Sequence, residues 1–266
     1  MEQNPTNPAN PANTAFQFPS EEVTLPSKGI LYPEGHPLKS GVIEMKYMTA
    51  REEDILTNQN LIKNGTVIDK LLQSLIITPV DYNDLLIGDK NAILIASRIL
   101  GYGQEYSFNF TNPNSLEEEE VTVDLTEAED KVIDESLVID GKNEFSFTLP
   151  HSKIEITFRL LSHGDEKKID QELKGLKKIS KLSSAELTTR MKHMILSVNG
   201  DRTPKTIREF VDGAFLARDS RALREYASSI MPDIDLTFDI EFKDGAIAEG
   251  VTIPIATSFF WPESTV

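Results

Sequence analysis

Four histidines, His36, His151, His163 and His193, are the residues of this chain best suited to move a proton or hold a metal. They show none of the short ligand spacings of metal sites, and the chain has no cysteine to complete one. No metal or other cofactor is expected. His163 stands next to Asp165 and Glu166, a grouping that could serve acid–base chemistry in a hydrolase if a deep pocket joined His163 or His151 to carboxylates. The same three residues fall at an expected helix start, where carboxylates favour the dipole, and the helix reading is preferred. LPSKGILYPEG (Leu25 to Gly35) has the glycines and lysine of a phosphate loop, but Ser27-Lys28-Gly29 is the reverse of the Walker order and a strand follows where a helix should receive the phosphate. GxSxG and GxGxxG are absent, and Gly101-Tyr-Gly103 follows a helix instead of preceding one. The run Glu117 to Glu120 is expected to point into water. No enzyme is expected.

Those residues must be positioned by elements that the pattern of the chain outlines. The polar, proline-rich repeat of residues 1–20 cannot bury enough apolar surface to order itself and reads as a flexible arm. LPSKGILYPEG then reads as a turn leading into a strand, GVIEMKYM (Gly41 to Met48). Thr49 and Glu52 match a capping box that opens a helix from about Ala50 to Ile62. Helices are expected again from Thr66 (TVIDKLLQSLI) and from Asp89 as cap (DKNAILIASRIL). EYSFNF (Glu105 to Phe110) and EVTVDL (Glu120 to Leu125) alternate as a β-ribbon.

The second half is expected to repeat this order, by internal duplication or by convergent use of common helix and strand patterns. LPHSKIEITFRL (Leu149 to Leu160) echoes LPSKG and VIEMKYM, and Ser162 with Asp165 and Glu166 stands where Thr49 stood with Glu52 and Glu53. ELTTRMKHMIL (Glu186 to Leu196) and RDSRALREYASSI (Arg218 to Ile230) replace the later helices, with Asp219 matching Asp89 as cap. A ribbon closes this half: IDLTFDIEF (Ile234 to Phe242), the turn KDGAIAEG, and VTIPIATSFFW (Val251 to Trp261). The expected fold is α+β, with two related halves, each a strand, a helical cluster and a β-ribbon, at 21–140 and 141–266.

Bulk charge narrows the partners. The chain has 266 residues, with 43 acidic against 27 basic side chains and a net charge of −16, so a nucleic-acid backbone is repelled. Apolar runs such as AILIA (Ala92 to Ala96) are too short to span a membrane, the N-terminus does not read as a signal peptide, and the absence of cysteine fits an intracellular setting. Two stretches are candidate protein contacts. LKGLKKISKLSS (Leu173 to Ser184) is the one dense basic run, offering Lys177, Lys178 and Lys181 to an acidic partner if it is more than a solvated helix face. Phe259, Phe260 and Trp261 are candidate hot spots, with core filling the commoner use of such residues.

Several stretches in this order resemble one family: LPSKGILYP and TAREEDIL, LLIGDKNAILIASRILGYGQEY, FVDGAFLARDSRALREYASSIMPDIDL and IPIATSFFWP. Together, over residues 23–262, they are similar to baseplate hub and tail-assembly proteins of T-even-type contractile-tailed bacteriophages. The resemblance implies a non-enzymatic morphogenesis protein that binds other hub or tail proteins, assembles in the host cytoplasm and is built into the tail baseplate. A self-associating subunit also fits, and the alternative role is a tail-assembly chaperone or scaffold absent from the virion. Some relatives carry paired CxxC knuckles in the ribbons. Here TNPN (Thr111 to Asn114) and KDGA (Lys243 to Ala246) occupy those tips, so no metal role carries over. A soluble acidic adaptor unrelated to phage is the remaining rival.

Overall fold

The fold begins with an antiparallel pair, β1 (Ser20–Thr24) and β2 (Val42–Lys46), joined by the long turn that contains Leu25 to Gly35. The structure, a computed structural model, describes residues 19–131, 133–179, 185–255 and 259–260. Two glycines make the turn close. Gly29 (φ +75°) and Gly41 (φ +73°) meet backbone to backbone, and a Cβ on Gly29 would lie 2.4 Å from the Lys39 carbonyl oxygen.

Helices α1 (Ala50–Leu56), α2 (Gln59–Asn64), α3 (Val67–Leu75) and α4 (Ile87–Tyr102) follow. The single helix expected from Ala50 to Ile62 is broken in two. Thr57 ends α1, and the Asn58 side chain accepts from the N–H groups of Asn60 and Leu61 at 3.0 and 3.2 Å, which starts a new helix. At the far end of α4 the buried Arg98 donates to the carbonyls of Gly103 (2.9 Å) and Glu105 (3.0 Å). A cation there answers the free carbonyl end of the helix and fixes where the ribbon departs. That ribbon is β3 (Glu105–Thr111) with β4 (Glu118–Asp124), and its alternation buries Tyr106, Phe108, Val121 and Val123 on one face. A short strand, β5 (Glu129–Lys131), comes next.

The second half opens with β6 (Phe145–Thr148) and β7 (Glu155–Phe158), which form an antiparallel sheet with β8 (Ile195–Val198) in the order β6-β7-β8. Its helices are α5 (His163–Ile179), α6 (Glu186–Met194), α7 (Pro204–Gly213) and α8 (Ala217–Ile230). Then come β9 (Asp233–Asp235) and a ribbon of β10 (Thr237–Glu241) with β11 (Ile247–Thr252). The returning strand starts at Ile247 instead of Val251, so the turn shortens to Lys243–Ala246. The architecture is α+β, with helices packed among several small antiparallel sheets.

One hydrogen-bonded arrangement occurs twice. Glu52 Oε2 accepts from the N–H (3.1 Å) and hydroxyl (2.6 Å) of Thr49, while Oε1 takes Lys46 (2.8 Å) and Ser74 (2.7 Å). Asp165 Oδ2 accepts from the N–H and hydroxyl of Ser162, both at 3.2 Å, and Oδ1 takes Arg159 at 2.7 Å. Base, cap and acid stand three residues apart in both. The expected caps Asp89 and Asp219 behave alike too, but not as caps. Each sits buried in the first turn of its helix, after Leu86 or Leu216 has already occupied the cap position. Asp89 instead accepts from the Ser27 N–H (3.0 Å), the Ser27 hydroxyl (2.8 Å) and the Tyr32 hydroxyl (2.7 Å), and Asp219 accepts from the N–H groups of His151 (2.8 Å) and Ser152 (3.0 Å). Lys28 and Lys153, one residue beyond Ser27 and Ser152, share a left-handed φ of 48° and 60°. The correspondence is incomplete: β8 has only the Met45–Ile76 bridge as counterpart, and α7 stands where the first half has a single turn, Tyr82–Asp84.

Contacts cross residue 140 throughout. β5 pairs with β9, the Lys131 ammonium donates to the Ser228 carbonyl, Asn91 donates to Asp233 at 2.9 Å, and Leu86 bridges Ser162. One hydrophobic cluster runs from Leu25 to Phe260.

Candidate interaction surface

The groups that suggested chemistry are used in packing. Ser27, which a phosphate loop would turn toward an anion, gives its N–H and hydroxyl to the Asp89 carboxylate. Burial pushes Asp89 upward in pKa against its hydrogen bonds. Asp219 moves the other way: burial raises it, and hydrogen bonding led by the His151 N–H outweighs that and lowers it.

The histidines lie at separate places. His36 stacks on Tyr32 with ring centres 4.8 Å apart, His151 is on an exposed turn, and His193 Nε2 lies 3.1 Å from Glu172. His163 does begin α5, and it is buried beside a carboxylate, with Nε2 3.5 Å from Asp69. Lys90 is inserted there too, 3.2 Å from His163 Nδ1 and 2.8 Å from Asp69, while the Tyr82 hydroxyl donates to the same Asp69 oxygen at 3.0 Å. Burial, then the Lys90 charge, lower the His163 pKa, so the imidazole stays neutral and accepts from the lysine. Two surface depressions, of about 310 and 400 Å³, are lined by residues of the β6-β7-β8 sheet and by Glu172, Lys192, His193 and Arg208 respectively; His163 lines neither. Among the described residues no group of three His, Asp or Glu side chains is placed to hold a metal.

Of the contact candidates, Lys177 and Lys178 are exposed in the last turn of α5 without an ion-pair partner among the described residues; Lys181 lies outside those residues. Phe259 and Phe260 are fully buried. Phe259 packs edge-on to Tyr106, with centres 5.0 Å apart, and so fills the base of the first ribbon. Trp261 lies outside the described residues.

A surface that sequence reading did not single out is formed where the two ribbons meet. Phe110 and Phe242 face each other at 6.4 Å, Tyr106 donates to the Pro254 carbonyl at 2.9 Å, and at the tips Asn114 reaches Asp244 at 3.4 Å. The buried Asn112 organises the first tip by accepting from the N–H groups of Asn114 and Ser115 and donating to Glu119. The signal available in the sequence was the concentration of acid in both ribbons, but not their adjacency.

A family model described as T4 bacteriophage base plate protein matches residues 22–261. The chain belongs to this family. Membership carries a structural or assembly role in the phage baseplate, with other baseplate proteins as partners. No curated protein and no solved structure matches the chain. None of the described helices of this baseplate protein is long and apolar enough to cross a membrane.

Proposed function

We propose that this baseplate protein is a non-enzymatic hub subunit or hub-assembly factor that works through protein–protein contacts. The observation that carries the reading is the family match across residues 22–261, which takes in both ribbons and every described helix. The side chains support it: Glu52, Asp89, Asp165 and Asp219 use their oxygens to hold turns and helix starts of the fold. Affinity would come from apolar contact, and charge would steer encounter and reject wrong partners. Replacing Lys177, Lys178 and Lys181 by glutamate is expected to reduce hub assembly while leaving the thermal midpoint within about 2 °C, because substitutions at exposed positions such as Lys177 and Lys178 cost little. Unchanged assembly removes this helix end from the contact surface. Mass spectrometry of purified particles separates a resident hub subunit from the alternative, a tail-assembly chaperone that leaves before maturation.

A further inference from the structure

We propose that the paired ribbon tips dock a basic protein surface with an apolar socket, the exposed side chains of Leu116 and Ile247 entering the socket. The proposal rests on the reading that the protein works through protein contacts and specifies the surface and the chemistry of its partner. Leu116 is 77 % exposed and Ile247 60 %, on neighbouring tips, within three residues of the Asn114–Asp244 contact. Large apolar side chains held out together beside a polar rim are the form of a docking site. Leu116 also adopts φ +61°, a left-handed conformation that costs a leucine free energy and returns none here through burial.

Charge selects the occupant. Residues 105–124 carry six carboxylates and no cation, and residues 237–252 carry four carboxylates and Lys243, so these two stretches hold −9 of the chain's −16. Elsewhere some carboxylates are paired, as Asp140 with Lys39, Glu144 with Arg202, Asp212 with Lys192 and Glu225 with Arg221. Among the described residues none of the ten ribbon carboxylates enters an ion pair. Their field repels phosphate and a second copy of this acidic chain, and attracts a surface of lysine and arginine.

The test places a photo-crosslinking amino acid at position 116, 247 or, as control, the exposed position 139, with the gene supplied in trans during infection. The expected result is an adduct from 116 and 247, absent from 139, whose partner peptide is rich in lysine or arginine and comes from another tail protein. Replacing Glu118, Glu120 and Glu241 together by lysine should lower the adduct at 247 about tenfold, as should Leu116→Gly, with both variants folded by circular dichroism. No adduct above the control, an adduct with a second copy, an acidic partner peptide, or a yield indifferent to both variants overturns the proposal. Normal baseplate assembly without a ribbon adduct sinks the docking site alone. A basic partner from outside the tail sinks the hub reading and leaves the docking chemistry standing.

Discussion

Asp89 and Asp219 occupy matching positions, one in the first turn of α4 and one in the first turn of α8, yet their partners differ in kind. Two of the three groups bonded to Asp89 are hydroxyls, which can accept as well as donate, whereas both partners of Asp219 are backbone N–H groups. An asparagine at 89 that turns its NH₂ toward Ser27 and Tyr32 leaves both hydroxyl hydrogens without this acceptor, since those oxygens already accept from the N–H groups of Gly29 and Leu86, and at 219 its NH₂ must oppose an N–H. Asp89→Asn and Asp219→Asn should therefore each cost about 2 kcal/mol, read from urea midpoints at constant slope. A loss under about 0.5 kcal/mol at either position would show that its carboxylate does not hold the turn. Glu52 gives a pH signature. Burial raises its pKa, but hydrogen bonds from Lys46, Thr49 and Ser74 prevail and hold it at about 2, against an ordinary 4.5. The unfolded chain thus takes up this proton first as pH falls, so the contribution is complete above about 4.5 and disappears toward 2, on the order of 3 kcal/mol. Glu52→Gln should flatten that part of the stability–pH curve. The Thr49–Glu52 pair was legible because its spacing is local. The roles of Asp89 and Asp219 were not, since a helix start is visible in sequence while the turn it grips lies some sixty residues away.

Among the elements, the ribbons were the most legible, because Tyr106, Phe108, Val121 and Val123 alternate with polar residues that face water. β5 was hidden: Glu129, Asp130 and Lys131 are all exposed and charged, and only pairing with β9 makes them a strand. The break after Leu56 was missed because Asn58 interrupts a helix by capping its successor, without glycine or proline. The turn at Leu116 allows a prediction at this scale. Leu116→Gly should stabilise the folded chain by about 1 kcal/mol, since glycine accepts φ +61° without steric cost and no buried contact is lost. A raised thermal midpoint is expected, and a lowered one would mean that the leucine contributes to the fold of the isolated chain.

For the whole molecule, the α+β class and the order of most elements could be read, but not the way the elements on either side of residue 140 interlock. Hydrophobic periodicity reports which face an element buries and is silent on its partner. Gly88 is the tightest point of that interlock: a Cβ there would lie 1.8 Å from the Pro232 carbonyl oxygen. Gly88→Ala should cost about 3 kcal/mol or more, because backbone at the junction of α4 and β9 must move. Near- and far-ultraviolet circular dichroism should still report one shared transition, as one hydrophobic cluster spans both halves. Two separated transitions would contradict that unity.

The β5–β9 pair also bears on how the protein is made. Glu129 leaves the ribosome roughly a hundred residues before its partner Asp235. At about 5–20 residues per second that interval is on the order of 5–20 s. During it the nascent chain presents an unpaired strand edge and an incomplete core, so the first half has a period of exposure to aggregation that ends only as the last ribbon is translated.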